Sequence, residues 1–516
     1  VYWPTANLDT YKFQVSDAGM LQGLTGISQG IGLDVTPYGL VGVDQWNDRQ
    51  NGYPSDIGGE LYYQITPGMK GAMTLNTDFA QTEVDKRQIN LTRFSLLFPE
   101  KRNFFLDGAN YFNFGIEGDR RNPYAGRLIP FFSRRMGLDN SGNPVPIIGG
   151  GKVTGQLGSW NMGFMHILDN RPDGRHNFTV GRVTRNFGEQ SSVGVIGTMG
   201  NAITPAQNQV AGADLKLATS RFRGNKNLSF MLFGLKSKTA GLQGNDGVWG
   251  SEILYPNDLF FFRLGTHHIG DNFLAGMGFV PRAGIQETYL ESALGPRPKR
   301  WGILQYHLRT GVDYITDLDN RLLTREISLT PLEVEFNSGD QIILSTSQRY
   351  EHLTEDFQIS SGHVIPRDTY TFWRNSLQLE SAQHRNFWAT GLFQWGDFFN
   401  GTRRDIDIAF GYKIVVPLFV GLEMARNDVT LPDGNFTAEI YSLNANILFS
   451  PDITLYNFIQ YDNFSNNMGW QSRFRWIIRP GNEILLVWNS LWDDPVNTLR
   501  VTQSSTRFKV KYTYRF

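Results

Sequence analysis

The densest set of charged and aromatic side chains in this chain lies between Asn76 and Gly137. Glu100-Lys101-Arg102 follows Pro99 and precedes Phe104, Phe105 and Asp107, and Arg134-Arg135 stands near the end of the stretch. Neighbouring side chains of both signs can form an ion-pair knot that fixes a folded segment, or an electrostatic constriction that selects solutes. Arginine forks suit carboxylate and phosphate. Arg134 and Arg135 therefore point either to a bound anion or to pairing with Glu83, Asp85, Glu100 or Asp107. Asp78, Glu83 and Asp85 could attract Ca²⁺, but they lack the spacing of an EF-hand loop, and no metal or other cofactor is expected. Asn76 and Arg93 complete the set of candidate plug or constriction residues.

Signatures of catalysis are thin. His267-His268 is the only adjacent pair among eight His, and it follows the strand-like Phe260-Phe261-Phe262-Arg263-Leu264, so it reads as a strand end or turn. There is no HExxH, no GxSxG elbow and no P-loop. Gly149-Gly150-Gly151-Lys152 lacks the P-loop's spacing and reads as the start of a strand. Without cysteine there is no disulfide, thiolate-metal or cysteine-nucleophile chemistry. A net charge of −1 gives no support to nucleic-acid binding. No enzyme is expected; a hydrolase site on outer loops is the minor alternative.

Strands must position these residues. In the last ten, Phe508, Val510, Tyr512, Tyr514 and Phe516 fall on one face, while Arg507, Lys509, Lys511, Thr513 and Arg515 fall on the other. An aromatic carboxy-terminus on such a strand resembles the assembly signal of bacterial outer-membrane barrels, carried here by Phe508, Tyr512, Tyr514 and Phe516. The pattern recurs upstream. Ile406, Ile408, Phe410, Tyr412 and Ile414 alternate with Asp405, Asp407, Ala409, Gly411 and Lys413, and Trp470, Phe474 and Trp476 alternate with Gln471, Arg473 and Arg475. One apolar and one polar face suit strands between lipid and a watery lumen. Tight turns at Ser450-Pro451-Asp452, Pro480-Gly481-Asn482 and Asn337-Ser338-Gly339-Asp340 alternate with longer polar links from Glu351 to Ile365, Asp428 to Asn435, Asn463 to Gly469 and Trp492 to Ser504. This alternation holds back to about residue 300. Tryptophans such as Trp373, Trp395, Trp476 and Trp492 fall near strand ends, as an interfacial girdle requires. No run of 18 apolar residues exists, so no transmembrane helix is expected. A β-propeller also has many short strands, but the roughly 40–50-residue repeat it needs is missing.

The charged stretch also carries a resemblance. NTDFAQTEVD, INLTRF, FPEKRNFFLDG, FFSRRMG and PIIGGGKVTG resemble a family of uncharacterised bacterial outer-membrane barrels. LQGLTGISQGIGLDVTPYGL looks like that family's entry into its barrel. The resemblance spans residues 20–165 and is most specific at Phe98-Pro99-Glu100-Lys101-Arg102. Thr77, Asp107 and Phe132 depart from the family's Pro, Glu and Tyr. Members usually follow a domain similar to family-9 carbohydrate-binding modules, so the resemblance implies such a domain upstream. The opening Val1-Tyr2-Trp3-Pro4 has no signal-peptide layout, and a missing upstream segment is expected.

The expected fold is all-β: a transmembrane antiparallel β-barrel of about 24–26 strands. Residues 1–29 would be a lead-in and 30–516 the barrel, with 76–137 as an insert plugging the lumen. The expected function is a plugged or gated outer-membrane channel for polar solutes, carbohydrate among them. The alternative is a scaffold component of a larger outer-membrane assembly for secretion, surface anchoring or barrel insertion. Expected partners are outer-membrane lipids and lipopolysaccharide, the barrel-assembly machinery, a carbohydrate or other polar solute, and proteins of the same membrane. The C-terminus and short turns would face the periplasm and the long loops the exterior.

Overall fold

The computed structural model describes residues 23, 30–77, 85–116, 128–139, 142, 144–493 and 499–516. Of the lead-in, residues 1–29, only Gly23 is among them.

Long alternating segments form one continuous antiparallel ladder. It begins with β1 (Leu33–Trp46), β2 (Ser55–Thr66), β3 (Met69–Thr77) and β4 (Ile147–Leu157), each paired with the next. It ends when Arg500–Lys511 and Tyr514–Arg515 pair with β1, for example Val41 with Phe508 and Asp34 with Arg515. These two segments lie end to end along β1 and count as one strand, so the closed barrel has 24 strands. At the break between them, Thr513 turns to the neighbouring turn, its Oγ1 donating to the Gly481 carbonyl at 2.7 Å. Closure leaves no unpaired edge, which a sheet in hydrocarbon requires. Among the described residues, no helix is long and apolar enough to cross a membrane.

The two faces differ as the alternation predicts. Val41, Ile57, Met73, Phe410, Tyr412, Trp476, Phe508 and Phe516 are large, apolar or aromatic, and exposed on the outer surface. The intervening residues point inward, including the buried Lys152, Arg182, Asp214, Glu252, Glu351, Asp405 and Lys509.

One end of the barrel carries the described termini and the shorter links, among them 67–68, 158–159, 416–417 and 480–481. The other end carries the long ones: 78–146, 200–207, 270–284 and 353–368. The alternation is not strict: the two-residue links 172–173, 399–400 and 432–433 lie at the end of the long links, and the eight-residue link 295–302 lies at the other.

Four readings of links change. The one from Asn463 to Gly469 shortens to 463–466, because the next strand starts at Asn467. The stretch Asp428–Asn435 is not a long link: strands Leu418–Leu431 and Gly434–Leu448 leave only Pro432 and Asp433 between them. Outward charges near that turn mimic a loop because they pair with one another, Arg426 with Asp428 at 2.9 Å and with Glu439 at 2.8 Å. The link after Glu351 contains its own hairpin, Phe357–Ser360 with His363–Ile365. The last link is shorter than Trp492–Ser504, since the flanking strands reach Asp493 and resume at Arg500.

The outer belt yields a prediction. Phe410 lies at the middle of the Ile406–Ile414 apolar stripe. Phe410→Arg should cost about 2–4 kcal/mol, measured as a lower urea midpoint for unfolding from lipid bilayers.

Candidate functional site

The chain leaves the wall after Thr77 and rejoins it at Ile147, two residues that are themselves register partners. Asn76 still belongs to β3, where its side chain donates to Asp56 at 3.1 Å and its carbonyl accepts from the Tyr38 hydroxyl. Asp78 and Glu83 lie outside the described residues. The segment beyond them has little regular structure: one turn of helix, Asn103–Leu106, and two 3₁₀ turns, Ala109–Phe112 and Ser133–Arg135.

A compact knot holds its parts together. The Glu100 carboxylate takes both Arg102 forks, Nε at 2.7 Å and an Nη at 2.6 Å, together with the Ser133 hydroxyl at 2.7 Å. Arg102 also donates to the Met136 and Ser133 carbonyls at 2.6 and 2.8 Å and lies over the Phe105 ring at 4.1 Å. Both charged side chains are buried. A second pairing adjoins it: Asp85 accepts from Arg134 and lies 3.2 Å from Lys101 Nζ. Arg134 also donates to the Pro99 carbonyl at 3.1 Å. Arg135 meets no carboxylate among its described contacts, and Glu83, one of its expected partners, lies outside the described residues. Arg135 donates to the Gly278 carbonyl at 3.1 Å, and burial lowers its pKa from the ordinary value.

The segment touches the inner wall on two separate arcs. On the first, built by strands from β4 to Ile285–Leu294, contact is mainly apolar. Phe104, Phe105, Phe112, Phe114 and Met136 join inward residues such as Ile147, Ile167, Phe178, Val210 and Phe233 in one buried cluster. Those positions correct the expectation of a polar inner wall throughout: on this arc the inner face is also apolar, because protein covers it. Buried polar contacts punctuate the cluster. Lys152 donates to the carbonyls of Phe104 and Asp107, Asp107 pairs with Lys70 at 2.9 Å, and the Gly115 amide donates to Asp214 at 2.9 Å. Farther on, the Phe132 amide donates to the Met277 carbonyl at 2.7 Å, tying the segment to the 270–284 link.

On the second arc the links are mostly ionic. Lys86 meets Glu423 at 2.7 Å, Arg87 meets Asp462, and Arg93 meets Glu351 at 2.9 Å. Leu91 adds an apolar contact beneath the 353–368 link, among Leu353, Ile359, Ile365 and Phe372. His267 and His268 separate to opposite faces: His267 turns inward to Glu287 at 2.9 Å, and His268 stacks outside on Trp249. Among the described residues, no three His, Asp or Glu side chains gather as a metal site.

Of the wall residues that meet the segment, Lys152 reads in the sequence only as a strand start and Glu351 as the head of a link. Lys152, Asp214, Glu351, Glu423 and Asp462 look like any inward polar residue; charge at inward register was their only signal.

Charge sets the knot's pH response. Burial raises the Glu100 pKa, but Arg102 and the Ser133 hydroxyl outweigh it and hold the carboxyl below its ordinary value. A depressed carboxylate stabilises the fold at pH above its unfolded value, and that contribution fades as pH falls through the folded value. Glu100→Gln strands a buried guanidinium and should loosen the segment by about 3 kcal/mol at neutral pH. Limited proteolysis should cut the variant's segment faster at pH 7, with the difference shrinking in strong acid.

Comparisons with solved structures give likenesses of low TM-score. The siderophore receptor PirA from Pseudomonas aeruginosa is 7% identical at TM-score 0.47, covering 93% of this chain and 80% of that one. The FrpB iron transporter from Neisseria meningitidis is 8% identical at TM-score 0.40, covering 94% and 83%. The ferric citrate transporter FecA is 8% identical at TM-score 0.43, covering 94% and 79%. No inference about cargo rests on them. No curated protein matches the chain in sequence. Residues 30–145, which contain β1 to β3 and the whole charged segment, match the family model described as a domain of unknown function, DUF5916.

Proposed function

We propose that the chain is an outer-membrane channel for polar solutes, carbohydrates among them, closed or narrowed by the segment between Thr77 and Ile147. The observation that carries this reading is the segment's double attachment, to Lys152 and Asp214 on one arc and to Glu351, Glu423 and Asp462 on the other. Barrel diameter grows with strand number, and barrels of 22 strands have plugged lumens. A 24-stranded barrel left open would leak. The sharing of Asp85 between Lys101 and Arg134, and the Glu100–Arg102 knot, give the filling a fixed shape. Link lengths support an orientation with the termini and short turns in the periplasm and the long links outside. The segment then enters the lumen from the exterior.

A scaffold would need the same filling and would also conduct once emptied. Passage of a polar solute through the intact chain, measured as sugar uptake into liposomes, therefore separates the two readings, and conductance tests the filling. Because Thr77 and Ile147 are register partners, a short Asn-Gly link can replace residues 78–146 and close the hairpin. In planar bilayers the intact chain should pass little current, and the shortened chain a large, steady one. A shortened barrel that folds yet conducts nothing would overturn the filling; an intact chain that passes no sugar would overturn the channel reading and favour the scaffold.

A further inference from the structure

A cavity of about 450 Å³ separates residues 85–101 from the inner face of strands Gly434–Leu448, Ile453–Asp462 and Asn467–Arg479. It belongs to the second arc, where the attachment is ionic. Through Lys86 and Gln88 it adjoins a second cavity of about 450 Å³ that continues along the same wall. Small-ligand pockets typically occupy about 300–1,000 Å³, so either space is large enough for a small solute.

The lining divides into groups already committed and groups still open. Its charges are committed. Asp85 lies between Lys101 and Arg134, Lys86 pairs with Glu423, and Arg473 lies over the Tyr456 ring at 5.1 Å. The side-chain amides of Gln88, Asn444 and Asn446 and the Tyr456 hydroxyl also line the cavity, and none of these groups hydrogen-bonds another described residue. Asn444 and Asn446 stand two apart on one strand, so both carboxamides face the same way. Each carboxamide offers two donors and an acceptor oxygen, and a phenol offers one of each. Phe98 and Phe458 add aromatic surface beside them.

Such a set complements a ligand that carries many hydroxyls and no charge. Hydroxyls both donate and accept, matching the open amides, while the apolar face of a sugar ring fits an aromatic wall. An anion would find Lys86 and Lys101 already paired, and a cation would find Asp85 already paired, so either would lose hydration with little return. We propose that this cavity binds an uncharged polyhydroxylated solute, a small saccharide, as it passes the edge of the segment. The proposal deepens the channel reading and rests on it for its purpose.

Binding is tested on the intact, detergent-purified chain by isothermal titration calorimetry. The neutral probes are maltose, trehalose and sucrose, and maltobionate is the anionic counterpart of maltose. At least one neutral disaccharide should bind saturably, and maltobionate more weakly than maltose. Asn444→Leu with Asn446→Leu should weaken binding by about tenfold. Tyr456→Phe, which removes one hydroxyl and keeps the ring, should weaken it by about threefold and guards against misfolding of the double variant. The proposal is overturned if none of the three neutral sugars binds, if both variants bind as the parent does, or if maltobionate binds more tightly than maltose. The channel reading fails separately, by an intact chain that passes no sugar into liposomes; saccharide binding in that case leaves the site standing.

Discussion

Every backbone amide in a sheet that crosses hydrocarbon must find its partner within the sheet, because lipid offers none. That constraint makes the strand of residues 33–46 pair with the strand that ends the chain, although almost the entire sequence separates them. It forces the sheet to close, and closing 24 strands encloses a wide lumen. Outward residues then meet lipid and must be apolar. Inward ones meet neither lipid nor a core supplied by the barrel itself. Water or another part of the chain has to cover them.

The chain uses both solutions, on different arcs. Where Phe104, Phe105, Phe112 and Phe114 press against the wall, inward residues have turned apolar, and burial of about 25 cal/mol per Å² holds the two together. On the opposite arc the wall keeps Asn, Gln, Glu and Asp, and contact is made by ion pairs. Lys86 and Glu423 are both well exposed, and a pair of that kind contributes about 0–1 kcal/mol. Arg87 with Asp462 and Arg93 with Glu351 are more buried, so the two arcs differ in the kind of fastening, apolar on one and mainly ionic on the other. The cavities lie on the ionic side.

Period-two alternation made the wall legible in the sequence. Ile406 to Ile414 and Phe508 to Phe516 could hardly be read otherwise, since their apolar residues share one face. The same rule misled at Asp428, where a strand continues as a charged ladder, because outward Arg426, Asp428 and Glu439 look like a loop when their pairing is unseen. Inside the lumen, residue types carried only half of the information. Glu100 and Arg102 could be recognised as charges needing partners. The carbonyls of Ser133, Met136 and Gly278 could not, since backbone acceptors leave no mark in a sequence. Asn444 and Asn446 were legible as inward polar residues but not as neighbours of Gln88, more than three hundred residues away.

The register pairing of Thr77 with Ile147 has a consequence for how such a chain arises. The two strands flanking the segment would be neighbours whether or not anything stood between them, so the hairpin is complete without its contents. The entropy of closing a loop rises only slowly with its length, and a long excursion there burdens the wall little. The lumenal filling is thus an interchangeable part in a standard socket. Barrels of one design could acquire different interiors by lengthening a single turn, with no strand of the wall having to move.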